Sequence, residues 1–173
     1  MMKYNKTQKE NLCIIPARKG SKGIKNKNIV KFRGKPLIQH TFITAKKLQK
    51  EFDVLVSTDS KIIRKLTLKN NFNFTGLRPK SLSGDKVETK NVLKYELKKI
   101  EKLQKKKYRN ILLLQPTCPF RDPKKIMLSL KKIKSGLYDS AVSVVEVKTD
   151  HPLRMKVFKS KYLKNFIKQK KEN

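Results

Sequence analysis

Arg18, Gly20, Ser21, Lys22 and Gly23 lie within six positions and combine the two requirements for gripping an oxyanion. Small residues let backbone N–H groups come close to the anion, and arginine and lysine add positive charge. The spacing is neither the G-x-x-x-x-G-K-[ST] of a Walker loop nor the dinucleotide G-x-G-x-x-G. Position gives the stretch its meaning. It directly follows Leu12-Cys13-Ile14-Ile15, a continuous apolar run of the kind buried on both faces of a sheet. Ligands of parallel sheets lie beyond the carboxyl ends of the strands. Residues 14–23 are therefore read as a phosphate cradle, suited to the triphosphate of a nucleotide, with a plain surface turn as the alternative.

The elements that must hold this loop alternate in kind. After a polar tail over residues 1–11 and the first strand, Pro36 opens a helix carrying Leu37, Ile38, Phe42, Ala45 and Leu48 at helical spacing. Residues 52–58 read as a strand. Asp59 and Ser60 are placed to cap the next helix, which carries Ile62, Ile63, Leu66 and Leu68. Residues 72–77 read as a short extended segment leading into Arg78-Pro79. Residues 87–103 read as an amphipathic helix whose exposed face is Lys with some Glu. Ile111-Leu112-Leu113-Leu114 is the most hydrophobic run and predicts a central strand, stopped by the prolines of Gln115-Pro116-Thr117-Cys118-Pro119-Phe120-Arg121. Asp122-Pro123 opens a further helix that Gly136 terminates, and residues 140–147 alternate as a strand. Such alternation predicts a mostly parallel sheet covered by helices. The chemistry then falls just after each strand, in residues 16–34, 57–60, 115–121 and 148–154.

Composition narrows the partners. With 37% hydrophobic residues the chain can build a core. Its formal net charge of +32, from 45 Lys+Arg against 13 Asp+Glu, raises the question of a polyanionic partner. The charge is mostly Lys, spread along the chain, whereas nucleic-acid readers cluster Arg and interleave aromatics. Nucleic acid is therefore not the expected partner, and coding bias is the competing source of the lysines. Cys13 and Cys118 lie in or beside apolar runs as free thiols. No secretory signal precedes the first strand and no apolar run is long enough to span a membrane, so a reducing, cytoplasmic setting is expected. Two cysteines and the distant His40 and His151 lack zinc-ligand spacing. His151 reads as a turn residue rather than a base.

Taken in order, several segments are similar to one family. Ile15-Pro16-Ala17-Arg18-x-Gly20-Ser21-Lys22-Gly23-Ile24-x-x-Lys27-Asn28 resembles the nucleotide-binding opening of the acylneuraminate cytidylyltransferases, which act on sialic, legionaminic and pseudaminic acids. Gly34-Lys35-Pro36-Leu37-Ile38, Val56-Ser57-Thr58-Asp59, Leu77-Arg78-Pro79 with Asp85, and Leu113-Leu114-Gln115-Pro116-Thr117-Cys118-Pro119-Phe120-Arg121 resemble that family's GKPLI, VSTD, LRP…D and LLQPTSPLR. His151-Pro152-Leu153 fits a sixth segment, and the resemblance covers residues 12–154.

The resemblance implies a three-layer α/β/α fold of the nucleotide-diphospho-sugar transferase type, Rossmann-like, over residues 12–150, with residues 151–173 beginning a dimerisation and sugar-binding region. It implies a reaction in which CTP and a nonulosonic acid give the CMP-sugar and pyrophosphate, in a homodimer with Mg²⁺. Arg18 and Lys22 match the positions that clamp the triphosphate and stabilise charge as pyrophosphate leaves. Ala17, Ser21, Gly23 and Lys27 fall beside the nucleotide, and Asn28 and Arg78 match contacts to cytidine. Gln115, Thr89 and Arg154 fall near the sugar, Arg154 as a partner for its carboxylate. Alternatives remain for individual residues: Arg78 as a solvated loop base, Gln115 as a cap for strand-end backbone groups, Asp59 as a helix cap. The family also carries a late Asp-x-Asp pair for magnesium, and this sequence contains no Asp-x-Asp. The nucleotide cradle is accordingly expected in this chain, and the metal-binding half of the machinery is not. A 3-deoxy-manno-octulosonate cytidylyltransferase and a non-catalytic nucleotide- or polyanion-binding protein are the alternatives.

Overall fold

The computed structural model describes residues 9–20, 23–144, 146, 155–159 and 162–165. The chain divides into two compact units, residues 1–128 and 129–173. The first unit runs β1 (Asn11–Pro16), β2 (Lys31–Phe32), β3 (Lys35–Pro36), α1 (Leu37–Leu48), β4 (Phe52–Ser57), α2 (Lys61–Lys69), α3 (Thr89–Gln104), β5 (Asn110–Leu113) and the beginning of α4 (Pro123–Lys134).

Leu12, Cys13, Ile14 and Ile15 of β1 are all fully buried. A strand apolar at every position has no face to give to water, so it belongs between neighbours and under cover. β1 is indeed the middle strand of a parallel sheet of order β4-β1-β5, with Ile15 opposite Val56 and Ile14 opposite Leu113. On one face Leu12, Ile14 and Leu55 pack with Ile100, and Leu93 and Leu97 of α3 lie against them. Helix α1 adds Ile38, Phe42, Ala45 and Leu48, all buried, and Phe42 meets Phe72 edge to face at 5.1 Å. This is the expected α/β arrangement.

Local chemistry explains the joints. The β2–β3 hairpin turns on Arg33 and Gly34, both at positive φ (47° and 77°), the pair of left-handed residues a two-residue hairpin loop demands. The Ser60 side chain caps α2 by accepting from the Ile63 N–H at 3.3 Å. Asp59 is not the cap: its carboxylate accepts the Lys19 N–H at 2.6 Å, tying the loop after β1 to the end of β4. Residues 72–77 pair with β4 at a single bridge. There the Asn73 N–H donates to Val54 C=O at 2.8 Å, and the Val56 N–H donates to Asn73 C=O at 3.1 Å.

Three further expectations need correction. β5 is an edge strand of the described sheet, not a central one, and Ile111 is 40% exposed. Hydrophobicity ranks a strand's tendency to be covered, but it does not choose which strand receives two neighbours. Residues 140–144 form no strand, and Val142 and Val144 are 81% and 91% exposed. β-branched residues favour a strand only where a neighbour can pair with them. The Glu residues of α3 do not all share its solvated face, for Glu96 is 1% exposed.

In the second unit, α4 ends where Gly136 takes φ 77° and its N–H donates to Ile133 C=O. β6 (Lys156–Lys159) and β7 (Tyr162–Asn165) form an antiparallel hairpin, with Val157 opposite Lys164.

Candidate functional site

The loops that follow β1 and β5 converge with the segment between α2 and α3 on a cavity of about 270 Å³. Its wall includes Pro16, Arg18, Gly20, Lys27, Asn28, Arg78, Asp85, Thr89, Gln115 and Thr117. These residues come from segments far apart in sequence, and the carboxyl ends of parallel strands are where such a fold gathers ligands.

Arg18 projects from the loop after β1 and pairs with Asp85, the two side chains about a third exposed. The same residue's backbone is fixed from behind, because the buried Asn28 side chain donates to Arg18 C=O at 2.9 Å. Ala17 lies fully buried just before it, and its N–H donates to Ser57 C=O at 2.8 Å. Ala17 thus anchors the loop rather than lining the cavity. A methyl group added at Gly20 or Gly23 would meet nothing within 4 Å, so both glycines leave open space beside the backbone. Gly20 is on the cavity wall and Gly23 is an exposed neighbour. Ser21, Lys22 and Arg154 lie outside the described residues.

Arg78 is buried, at 7% exposure, which removes the reading of it as a solvated loop base. Its Nη2 donates to Ser57 C=O at 3.0 Å, its Nη1 reaches Leu82 C=O at 3.4 Å, and its own N–H donates to Thr58 C=O at 2.9 Å. Nε is buried with no hydrogen-bond partner. Burial depresses the guanidinium's pKa, Asp59 and then Glu96 oppose that shift, and Arg18 adds to it. The group stays charged, since arginine is not deprotonated in proteins. Arg78 is thus a buried cation on the cavity wall, held by carbonyl oxygens.

Thr89 is the first residue of α3 and lines the cavity, so the positive end of that helix lies beside it. Gln115 is exposed, and its carbonyl, not its side chain, accepts from Cys118 N–H at 3.2 Å and from Arg121 Nη2 at 2.5 Å. The Gln115 side chain lines the cavity, and capping at this turn falls to its carbonyl. With Arg18, Lys27 and Arg78 against Asp85, the described wall carries more positive than negative charge, as a polyanion requires.

The cavity therefore brings together Arg18, Lys27, Asn28, Arg78, Thr89 and Gln115 of the expected residues. It adds Asp85 and Thr117, which sat inside recognised motifs without being given a role. The missed residue behind the wall is Glu96. Its signal was present: Val92, Glu96 and Ile100 stand four apart, so Glu96 lies on the buried stripe of α3.

Magnesium fits these side chains poorly. Protein carboxylates usually hold it together with waters and substrate phosphates. Among the described residues no group of three or more His, Cys, Asp or Glu converges on one point, and Asp85 faces Arg18. No helix among them is long and apolar enough to cross a membrane.

Known proteins agree with this architecture. A Streptococcus agalactiae N-acylneuraminate cytidylyltransferase is 36% identical over 143 residues, covering 82% of this chain and 33% of the relative. A CMP-N,N'-diacetyllegionaminic acid synthase of Legionella pneumophila is 38% identical over 117 residues, covering 66% and 49% respectively. The chain thus spans between a third and a half of the length of these relatives. Among solved structures, a CMP:2-keto-3-deoxy-manno-octonic acid synthetase complexed with CTP superposes with a TM-score of 0.57 at 21% identity, over 73% of this chain and 48% of that one. That likeness establishes the fold. The cytidylyltransferase family itself matches residues 12–172, nearly the whole chain, and the chain belongs to that family.

Proposed function

We propose that this chain is the nucleotide-binding part of a cytidylyltransferase that activates a nonulosonic acid, with CTP as donor and the CMP-sugar and pyrophosphate as products. The observation that carries the reading is the cationic cavity, in which Arg18, Lys27, Asn28, Arg78, Thr89 and Gln115 converge from separate segments. In the proposed reaction the sugar's anomeric oxygen forms a bond to the α-phosphorus and the bond to pyrophosphate breaks. The proton of the anomeric hydroxyl passes to solvent. Arg18 and Lys22 hold the β- and γ-phosphates and stabilise the charge that gathers on the departing group. Asn28 and Arg78 hold the cytidine half, while Gln115, Thr89 and Arg154 orient the sugar.

Magnesium enters the proposal only as a companion of the triphosphate, and no step is routed through it. A cytoplasmic setting belongs to the same proposal, supported by free thiols at Cys13 and Cys118. So does a homodimer, supported by the exposed apolar Leu137, Val142 and Val144 and tested by sedimentation. A 3-deoxy-manno-octulosonate substrate is not favoured: relatives above 30% identity are named for acylneuraminate, legionaminic acid and pseudaminic acid.

The test is calorimetric titration with CTP, followed by pyrophosphate release with CTP, Mg²⁺ and a panel of nonulosonic acids. CTP binding, lost in Lys22→Ala, together with pyrophosphate release is the expected result. Binding without release would leave a nucleotide-binding module, and no CTP binding by the folded chain would overturn the reading.

A further inference from the structure

Glu96 is one of the most deeply buried charged side chains of the first unit, and the proposed chemistry does not use it. It sits on α3 behind the cavity wall with both carboxylate oxygens engaged. Ser57 Oγ donates to Oε1 and Thr75 Oγ1 to Oε2, each at 2.6 Å. Two neutral hydroxyls do not neutralise a buried carboxylate, which is strongly unfavourable unless a positive charge lies near. The corresponding cation is Arg78, itself buried and hydrogen-bonded only to neutral carbonyls. The two groups meet through one residue: Ser57 gives its hydroxyl to Glu96 and its carbonyl to Arg78 Nη2. Burial weakens the charged form of the guanidinium, and Glu96 is one of the two carboxylates that oppose this.

We propose that Glu96 is a positioning residue for the nucleotide site, acting through Ser57 to hold the Arg78 guanidinium against the cavity and supplying, together with Asp59, the negative charge that lets it stay buried there. The assignment rests on the nucleotide-binding reading for its functional consequence, but not for its geometry. Glu96 never reaches ligand. Its removal leaves Arg78 in place by sequence but free to turn.

Two arms test this on the whole chain. The first needs no nucleotide. In ¹⁵N spectra the Arg78 Nε–H, buried beneath the cavity wall, exchanges slowly in the parent. In Glu96→Gln, which keeps the shape and loses the charge, it exchanges at least about tenfold faster, because the opening of a buried group sets its exchange. Unchanged exchange in a folded Glu96→Gln would overturn the proposal. If Glu96→Gln does not fold, Ser57→Ala, which cuts the relay while keeping both charges, takes its place with the same expectation.

The second arm is a cycle of CTP titrations. Glu96→Gln weakens CTP binding about tenfold in the parent, but changes it less than about twofold in an Arg78→Ala background, the non-additivity expected of residues acting as a unit. Thr75→Val, which removes one hydrogen bond and no charge, leaves affinity within about twofold. Equal losses in both backgrounds would mean that Glu96 serves only the fold, and would overturn the proposal. If the parent chain itself binds no CTP, the functional reading fails while the exchange arm still decides the Glu96–Arg78 link.

Discussion

Arg18 and Asp85 pair on the wall of the cavity, and the pairing sets up a competition. A triphosphate must take the guanidinium from the carboxylate before it can use it. Exposed pairs of this kind are worth little, roughly 0.2–1 kcal/mol, so the exchange is easily made but not free. Asp85→Asn is therefore expected to tighten CTP binding by about 1.4-fold to fivefold, the equivalent of that range. Calorimetry at low salt reads the change, and weaker binding would mean that Asp85 takes part in holding the nucleotide. The thiols differ as sharply. Cys13 is fully buried in β1, and burial pushes its pKa up to about 12, opposed only in part by Arg121. Cys118 is exposed on the loop after β5. A colorimetric thiol reagent near neutral pH should titrate Cys118 alone in the native chain and reach Cys13 only after denaturation, since the thiolate is the reactive form. Rapid reaction of both thiols in the native chain would contradict this burial.

At the scale of elements, the loop after α3 carries a clear pH dependence. The Glu101 carboxylate accepts from Lys107 Nζ at 2.7 Å and from the Tyr108 N–H at 3.0 Å, and these bonds hold its pKa below the ordinary value. A depressed carboxyl pKa stabilises the fold fully above the unfolded value and loses that contribution as pH falls through the folded one. The melting temperature of the parent should exceed that of Glu101→Gln near neutral pH. The gap should close between about pH 5 and about pH 3, and a gap that widened on acidification would have the wrong sign. The fold was largely legible at this scale, for reasons that differ between elements. β1 declares itself because four consecutive apolar residues have only one stable setting, and α4 because Pro123 and Gly136 mark its ends chemically. The order of strands was not legible. Ile111 is as apolar as Ile14, yet only pairing partners distant in sequence decide which strand has two neighbours. The site was legible where motifs stand on the loops themselves, as with Arg18, Asn28 and Arg78. Asp59 and Glu96 were not, because what each carboxylate holds lies about 40 residues away, at Lys19 and Ser57, and no local pattern records a contact at that range.

For the whole molecule, the charge of +32 and the cavity pull toward different partners. Diffuse surface lysine gives any polyanion a weak, sequence-independent hold that salt removes, whereas buried groups are screened far less. Between 50 and 200 mM salt, random duplex DNA should lose affinity by at least about a hundredfold. CTP binding, held partly by the buried Arg78, should lose much less, and a fluorescence titration of each ligand compares them. Parallel losses would place CTP on the lysine surface rather than in the cavity.

Ser57 shows what such experiments can miss. Its carbonyl oxygen takes both the Ala17 N–H and Arg78 Nη2, so it anchors the cradle and the guanidinium at once, while its hydroxyl reaches Glu96. Every amino acid carries that same carbonyl. A saturation scan at position 57 would therefore report on the hydroxyl and on the space around a buried side chain, and never on the carbonyl that both walls of the cavity share. Only an edit of the main chain, an ester in place of the amide between residues 57 and 58, weakens that acceptor and exposes how much of the site one backbone atom holds.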